Sequence, residues 1–135
     1  MIDMVTFTIG PTAGGAGAAT AEGLGPTIGG GSILAVYLDY LGGHPATTLV
    51  IIYDADDPPG EALIYKINNN SNTKFYPRRV IENNAGVVVL YNATYGVKIV
   101  PPPIIGRPRV TIAQSNPGLY MAVTLWYEKV YAERV

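Results

Sequence analysis

Apolar and polar positions alternate with period two through most of the chain, and no stretch repeats at the helical period. Residues 4 to 9, Met-Val-Thr-Phe-Thr-Ile, set apolar side chains between threonines and predict a short, half-buried first strand. Ser32 to Tyr40 is apolar on both parities, as in a central strand covered on both faces or one whose outer face meets a partner. Thr47 to Tyr53 is dense in β-branched residues. With Gly42, Gly43 and Pro45 between them, these two segments are expected to pair as an antiparallel hairpin.

Downstream, Asp54, Asp56, Asp57, Pro58, Pro59 and Gly60 mark a turn, and Glu61 to Ile67 reads as the next strand. Asn68 to Thr73 is a polar loop of residues that accept positive φ and bond their own backbone. Lys74 to Tyr76 is extended up to Pro77, and a turn follows at Asn83, Asn84 and Gly86. Val87 to Tyr91 and Tyr95 to Val100 predict a hairpin around Asn92 and Ala93. Pro101 to Pro103, with Pro108 beyond, form a stiff extended connector. Arg109 to Gln114, a turn at Ser115 to Gly118 and a long strand from Leu119 to about Tyr131 complete the series. In that last strand Met121, Val123, Leu125 and Tyr127 share one face, and Tyr120, Thr124, Trp126 and Glu128 the other.

One segment breaks the rhythm. Between Gly10 and Gly31, nine glycines are interleaved with Ala and Thr, with Pro11 and Pro26 as breakers. It is expected to bury little and to form a flexible Gly/Ala-rich arm or loop, with at most one short strand over Ala18 to Leu24. The whole predicts an all-β fold of one domain over residues 1–135, an antiparallel β-sandwich or jelly-roll-like barrel of about eight or nine strands.

Composition adds a second expectation. Charged residues are 14% of the chain, well below the roughly 25% of an average soluble domain, so something other than water is expected to cover part of the surface. The net charge of −1 gives no basic footprint for nucleic acid. There is no cysteine, which excludes disulfides, thiolate metal sites and a cysteine nucleophile. No apolar run is long enough to span a membrane as a helix, and the first residues lack the basic start of a secretory signal. The sequons at Asn69 and Asn92 therefore read as chance matches in turns.

Candidate chemistry is sparse. The sole histidine, His44, sits in a Gly-Gly-His-Pro turn and is expected to be solvated, since a triad would need a Ser and an acid brought to it. Asp54, Asp56, Asp57 and Glu61 are the one cluster of hard oxygen ligands, but the prolines spoil a calcium-loop ligand order, so a solvated, metal-free hairpin tip is expected. Asp39 and Glu128 would make a glycosidase pair only on facing strands. Lys74, Phe75, Tyr76, Arg78 and Arg79 mix basic and aromatic residues as single-strand binders do, and a protein contact suits them equally. No catalytic residue, cofactor or metal is expected.

The ten tyrosines with Trp126 point to contact surfaces, because Tyr offers large area at low side-chain entropy. Tyr37, Tyr40, Tyr76, Arg78, Tyr120 and Trp126 are the candidate interface residues. The segments Gly31-Ser32-Ile33-Leu34-Ala35-Val36, Thr47-Thr48-Leu49-Val50-Ile51, Tyr76-Pro77-Arg78 and Arg109 to Gln114 through Asn116-Pro117-Gly118 resemble small β-proteins encoded among the structural genes of tailed bacteriophages. That resemblance implies a non-enzymatic virion component made in the host cytoplasm, a capsid decoration or auxiliary protein bound to the major capsid protein or other virion subunits. The low charge and the two-sided apolar character of Ser32 to Tyr40 predict a homo-oligomer; symmetry alone favours a dimer, whereas the resemblance implies a trimer. The other expectation is a ligand- or carbohydrate-binding sandwich that stacks sugars on Trp126 and tyrosines.

Overall fold

The computed structural model describes residues 2–56, 62–80, 90–92, 96–97 and 99–129. Every regular element among them is a strand: β1 Ile2–Ile9, β2 Ala19–Leu24, β3 Gly31–Leu41, β4 Leu49–Asp54, β5 Ile64–Lys66, β6 Thr73–Phe75, β7 Arg79–Val80, β8 Leu90–Asn92, β9 Gly96–Val97, β10 Ile99–Val100, β11 Pro103–Ile104, β12 Pro108–Ser115 and β13 Tyr120–Lys129. Nine of them form two antiparallel sheets. The first runs β1-β13-β3-β11 with β6 also on β3, and the second runs β2-β12-β4-β5. The expected sandwich is therefore what the chain forms. The short ladders β7–β10 and β8–β9 lie outside these sheets, and the second of them joins the two arms of the hairpin expected around Asn92 and Ala93.

Period-two alternation sets which side chains meet between the sheets. Val36, Leu38, Met121, Val123 and Leu125 of the first sheet and Val50, Ile52, Val110 and Ile112 of the second are fully buried in one core. A bulge keeps the long β3–β13 pair in phase: Trp126 lies opposite Ala35 and Tyr127 opposite Ile33, which leaves Leu34 as the extra residue. Ile33 consequently stays on the inner side, buried in the core opposite Tyr127, which packs against it. A second irregularity lies in β12 between Ile112 and Ser115, where Gln114 takes φ 53°.

Two expectations fail. Segments 32–40 and 47–53 do not form a hairpin, because β3 belongs to the first sheet and β4 to the second. Each is two-sidedly apolar, and residues 42–48 carry the chain from one layer to the other instead of turning within one. Nor is residues 10–31 a free arm. Within it β2 is an edge strand paired to β12 over Ala21 to Leu24, and Ala19, Gly25 and Ile28 are buried. Its glycines are contact points. A Cβ on Gly23 would reach 2.5 Å from Ile9 Cδ1, and one on Gly25 would lie 2.7 Å from the Phe7 ring. The inner side chains of β1 occupy the room that β2 leaves empty, which is why so little apolar sequence still makes a packed strand.

Candidate functional site

Loops 10–18, 42–48, 67–72 and 116–119 all leave the strands at one end of the sandwich and are bonded across it. Thr12 donates its amide to the Leu119 carbonyl at 2.8 Å, accepts from the Gly118 amide at 2.7 Å, and its hydroxyl oxygen accepts from the Leu119 amide at 2.9 Å. His44 is buried, contrary to the solvated turn expected of it. Its Nε2 lies 2.7 Å from the Tyr120 carbonyl and its Nδ1 2.8 Å from the Ser115 hydroxyl. A carbonyl only accepts, so Nε2 carries the proton and neutral Nδ1 accepts from Ser115. The structure thus delivers a Ser to His44, with a backbone carbonyl in place of an acid. Ser115 is fully buried beside the β12 irregularity, where this pair ties the 42–48 loop to β12 and β13.

Tyr40 belongs to the same end. It was expected at an interface, but β3 parity turns it inward, and it is buried with its ring edge-on to His44 at 5.5 Å. Its phenol oxygen accepts from Asn69 Nδ2 at 3.1 Å. Burial pushes the Tyr40 phenol above its ordinary value, and the Asn69 hydrogen bond opposes that in part. Asn70 donates to the His44 carbonyl at 2.9 Å, and Asn72 accepts from the Tyr40 amide at 2.8 Å. The asparagine loop is a clamp on this end, with Asn68 at φ 54°.

At the opposite end a carboxylate does the equivalent work. Asp54 is buried and accepts from the Ile105, Gly106 and Asp56 amides at 2.6, 3.3 and 3.1 Å. Asp56 accepts from the Arg107 amide at 3.3 Å, and Arg107 Nε donates to the Gly25 carbonyl at 2.8 Å. The expected solvated acidic tip is corrected here: Asp54 is committed to backbone amides, while Asp57 and Glu61 lie outside the described residues. Among the described residues no three His, Cys, Asp or Glu side chains gather as a metal site. Asp39 lies opposite Ala122, six positions along β13 from Glu128, or about 20 Å. The two do not face one another.

The outer faces hold the remaining candidates. On the first sheet, β13 parity turns Trp126 and Tyr120 outward and β3 parity turns Tyr37 outward, beside Lys74 of β6. Lys74 Nζ stands 4.3 Å over the Trp126 ring and 5.5 Å from the Tyr76 ring. Arg78 donates to the Leu34 carbonyl at 3.1 Å, which brings it to the same corner. Met4, 61% exposed, lies opposite Trp126. Four of the six expected interface residues, Tyr37, Tyr76, Arg78 and Trp126, therefore meet at one corner, with Lys74 and Met4 added. Tyr120 lies at the far end of that face and Tyr40 inside. Lys74 was legible as part of a basic-aromatic run; Met4 carried no signal until its strand had a neighbour.

The second sheet's outer face is also largely apolar. Ile51 lies between Thr111 and Tyr65, and Arg109 between Leu24 and Tyr53; Leu24 and Tyr65 are exposed. Its charges pair across strands: Arg109 donates to Glu22 at 2.7 Å, and this guanidinium holds the Glu22 carboxyl below its ordinary value.

Comparison with family models, with characterised proteins and with solved structures finds no match for the chain.

Proposed function

We propose that the protein is a non-enzymatic structural module that docks against protein subunits of a larger assembly. The resemblance to phage structural proteins names the assembly as a virion and the partner as its major capsid protein. The observation that carries the reading is the character of the two outer faces. A free-standing antiparallel sandwich keeps its outer positions polar, whereas here Trp126, Tyr37, Tyr76 and Met4 occupy one face and Ile51 and Tyr65 the other. Trp, Tyr and Arg at the centre of a patch are the residues that supply most binding energy when a partner excludes water.

The carbohydrate reading rests on the same Trp126. A sugar stacks on an open aromatic face, and the Lys74 ammonium stands over this one. That placement favours a protein partner, whose acidic or carbonyl groups engage the cation while the rings are covered.

The test is co-sedimentation with shells assembled from the capsid protein of the same genome. Binding that falls at least about 30-fold with Trp126→Ala, a loss of roughly 2 kcal/mol, and is unchanged by Ser71→Ala supports docking through this corner. Shell binding indifferent to Trp126 and to Tyr65 overturns it, and Trp126-dependent glycan binding without shell binding gives the site to a sugar.

A further inference from the structure

The first sheet ends in a strand edge of a kind that sandwiches usually protect. β1 offers eight residues, Ile2–Ile9, and among the described residues only β13 pairs with it. Natural edges are blunted by shortness, by Pro, by Lys or by a bulge. The other sheet edges follow that practice: β5 and β6 have three residues each, β11 begins with Pro103, and β2 carries Glu22 and Gly23. β1 has no Pro, no cation and no bulge against β13, and its one charge is Asp3 near its start. Its side chains are also incompletely covered. Val5 and Phe7 point toward the core yet remain half-buried, while Ile2 and Met4 on the outer side are 60% and 61% exposed.

We infer that β1 pairs antiparallel with β1 of a second copy of this chain about a two-fold axis, joining two five-stranded sheets into one. The occupant follows from the edge itself. A strand edge accepts another strand, and a two-fold operation always supplies one of matching length and direction. Such an axis preserves sheet faces, so residues of like parity must lie opposite each other. Centring on Thr6 sets Thr6 against its own copy, Met4 against the second Thr8, and Val5 against the second Phe7. The last is an aromatic and β-branched pair of the kind that stabilises adjacent strands. The same centring separates the two Asp3 carboxylates by six positions, about 20 Å, where centring on Val5 would bring them to about 13 Å. The joined sheet also sets the two Trp126 corners on one continuous outer surface, so a repetitive partner would meet two docking points at once. This pairing is independent of what binds that corner. The three-fold association implied by the phage resemblance would need a different surface.

The absence of cysteine allows a clean test. Single substitutions Met4→Cys, Thr6→Cys and Thr8→Cys, all at exposed positions, are treated with a short bis-maleimide, with Tyr65→Cys as an exposed control. Thr6→Cys alone is expected to give covalent dimer on the order of ten-fold faster than the control, from the raised local thiol concentration. Met4→Cys and Thr8→Cys are expected to link chiefly when mixed. Light scattering of the unmodified protein should give a dimer, and Thr6→Lys should give a monomer with unchanged circular dichroism, while Trp126→Ala remains dimeric even if it no longer docks. A monomer at all accessible concentrations, a trimer, or cross-linking at Thr6→Cys no faster than at Tyr65→Cys overturns the inference.

Discussion

The two ends of the sandwich solve one problem with different chemistry. Both must hold long crossing loops whose backbone amides and carbonyls would otherwise be buried unpaired. The end that gathers loops 10–18, 42–48, 67–72 and 116–119 does so with neutral groups, Thr12, His44, Ser115 and the asparagines. The end near residues 105–107 does so with the Asp54 and Asp56 carboxylates. A charge-assisted bond is about twice as strong as a neutral one, so one acid can organise a loop that takes several neutral residues elsewhere. The cost is concentration: at the charged end Asp54 alone takes three amides, with Asp56 adding one more, whereas the neutral end distributes the task over more side chains.

That contrast can be broken by mutation. The largest effect is expected from Asp54→Ala, which orphans three amides and should cost about 3 kcal/mol, read as a lower urea midpoint; Asp54→Asn, retaining one acceptor oxygen, should cost less. At the neutral end, Ser115→Ala leaves His44 Nδ1 without its donor and should cost about 1 to 2 kcal/mol. A double-mutant cycle with His44→Phe should show coupling between the pair and none between Ser115 and Asp54. Equal losses at Asp54 and Ser115 would erase the distinction between concentrated and distributed support.

Titration sharpens the contrast further. The Tyr40 phenol is held above its ordinary value of 10, so the folded state retains a proton that the unfolded chain releases. Its contribution is complete below pH 10 and is lost as the pH rises above 10 through the folded value. Thermal melts should therefore show an alkaline fall that Tyr40→Phe reduces. The smallest effect belongs to Glu22, lowered from 4.5 by Arg109. Its contribution is present above pH 4.5 and lost as the pH falls below that, and being solvent-exposed it should shrink with added salt. Glu22→Gln should remove that acid-side dependence and leave the alkaline one intact.

The strands and inner faces were legible because alternation is a local property. Met121, Val123, Leu125 and Tyr127 were placed together correctly by parity alone. What alternation does not carry is which layer a strand joins, and so β3 and β4 were read as a hairpin when their loop changes sheets. Polar burial was hidden for a related reason. His44 and Asp54 sit in turns, where residue type suggests solvent, and only distant partners, Ser115 and Tyr120 for one and residues 105–106 for the other, remove them from it. The glycines of 10–31 were read as a lack of packing, although Gly23 and Gly25 make room for Ile9 and Phe7. Of the candidate face, Tyr37, Tyr76, Arg78 and Trp126 were legible as an interface composition, whereas Tyr40 was misplaced because its parity had no reference until β13 was paired.

The pairing of Ile2 with Glu128 has a kinetic consequence. β13 separates β1 from β3, so β1 has no native neighbour in its own sheet until β13 has been synthesised. Closure of a loop of that length must precede any contact of β1 within its sheet, so docking of β1 is expected to be the slow step of folding. The second sheet needs β12 to join β2 to β4, so neither layer is complete until these late strands have been made. Until then, within these two sheets, only the pairs β4–β5, β3–β6 and β3–β11 can form, and the yield in a cell should depend on translation speed and chaperone supply more than on the stability of the finished sandwich.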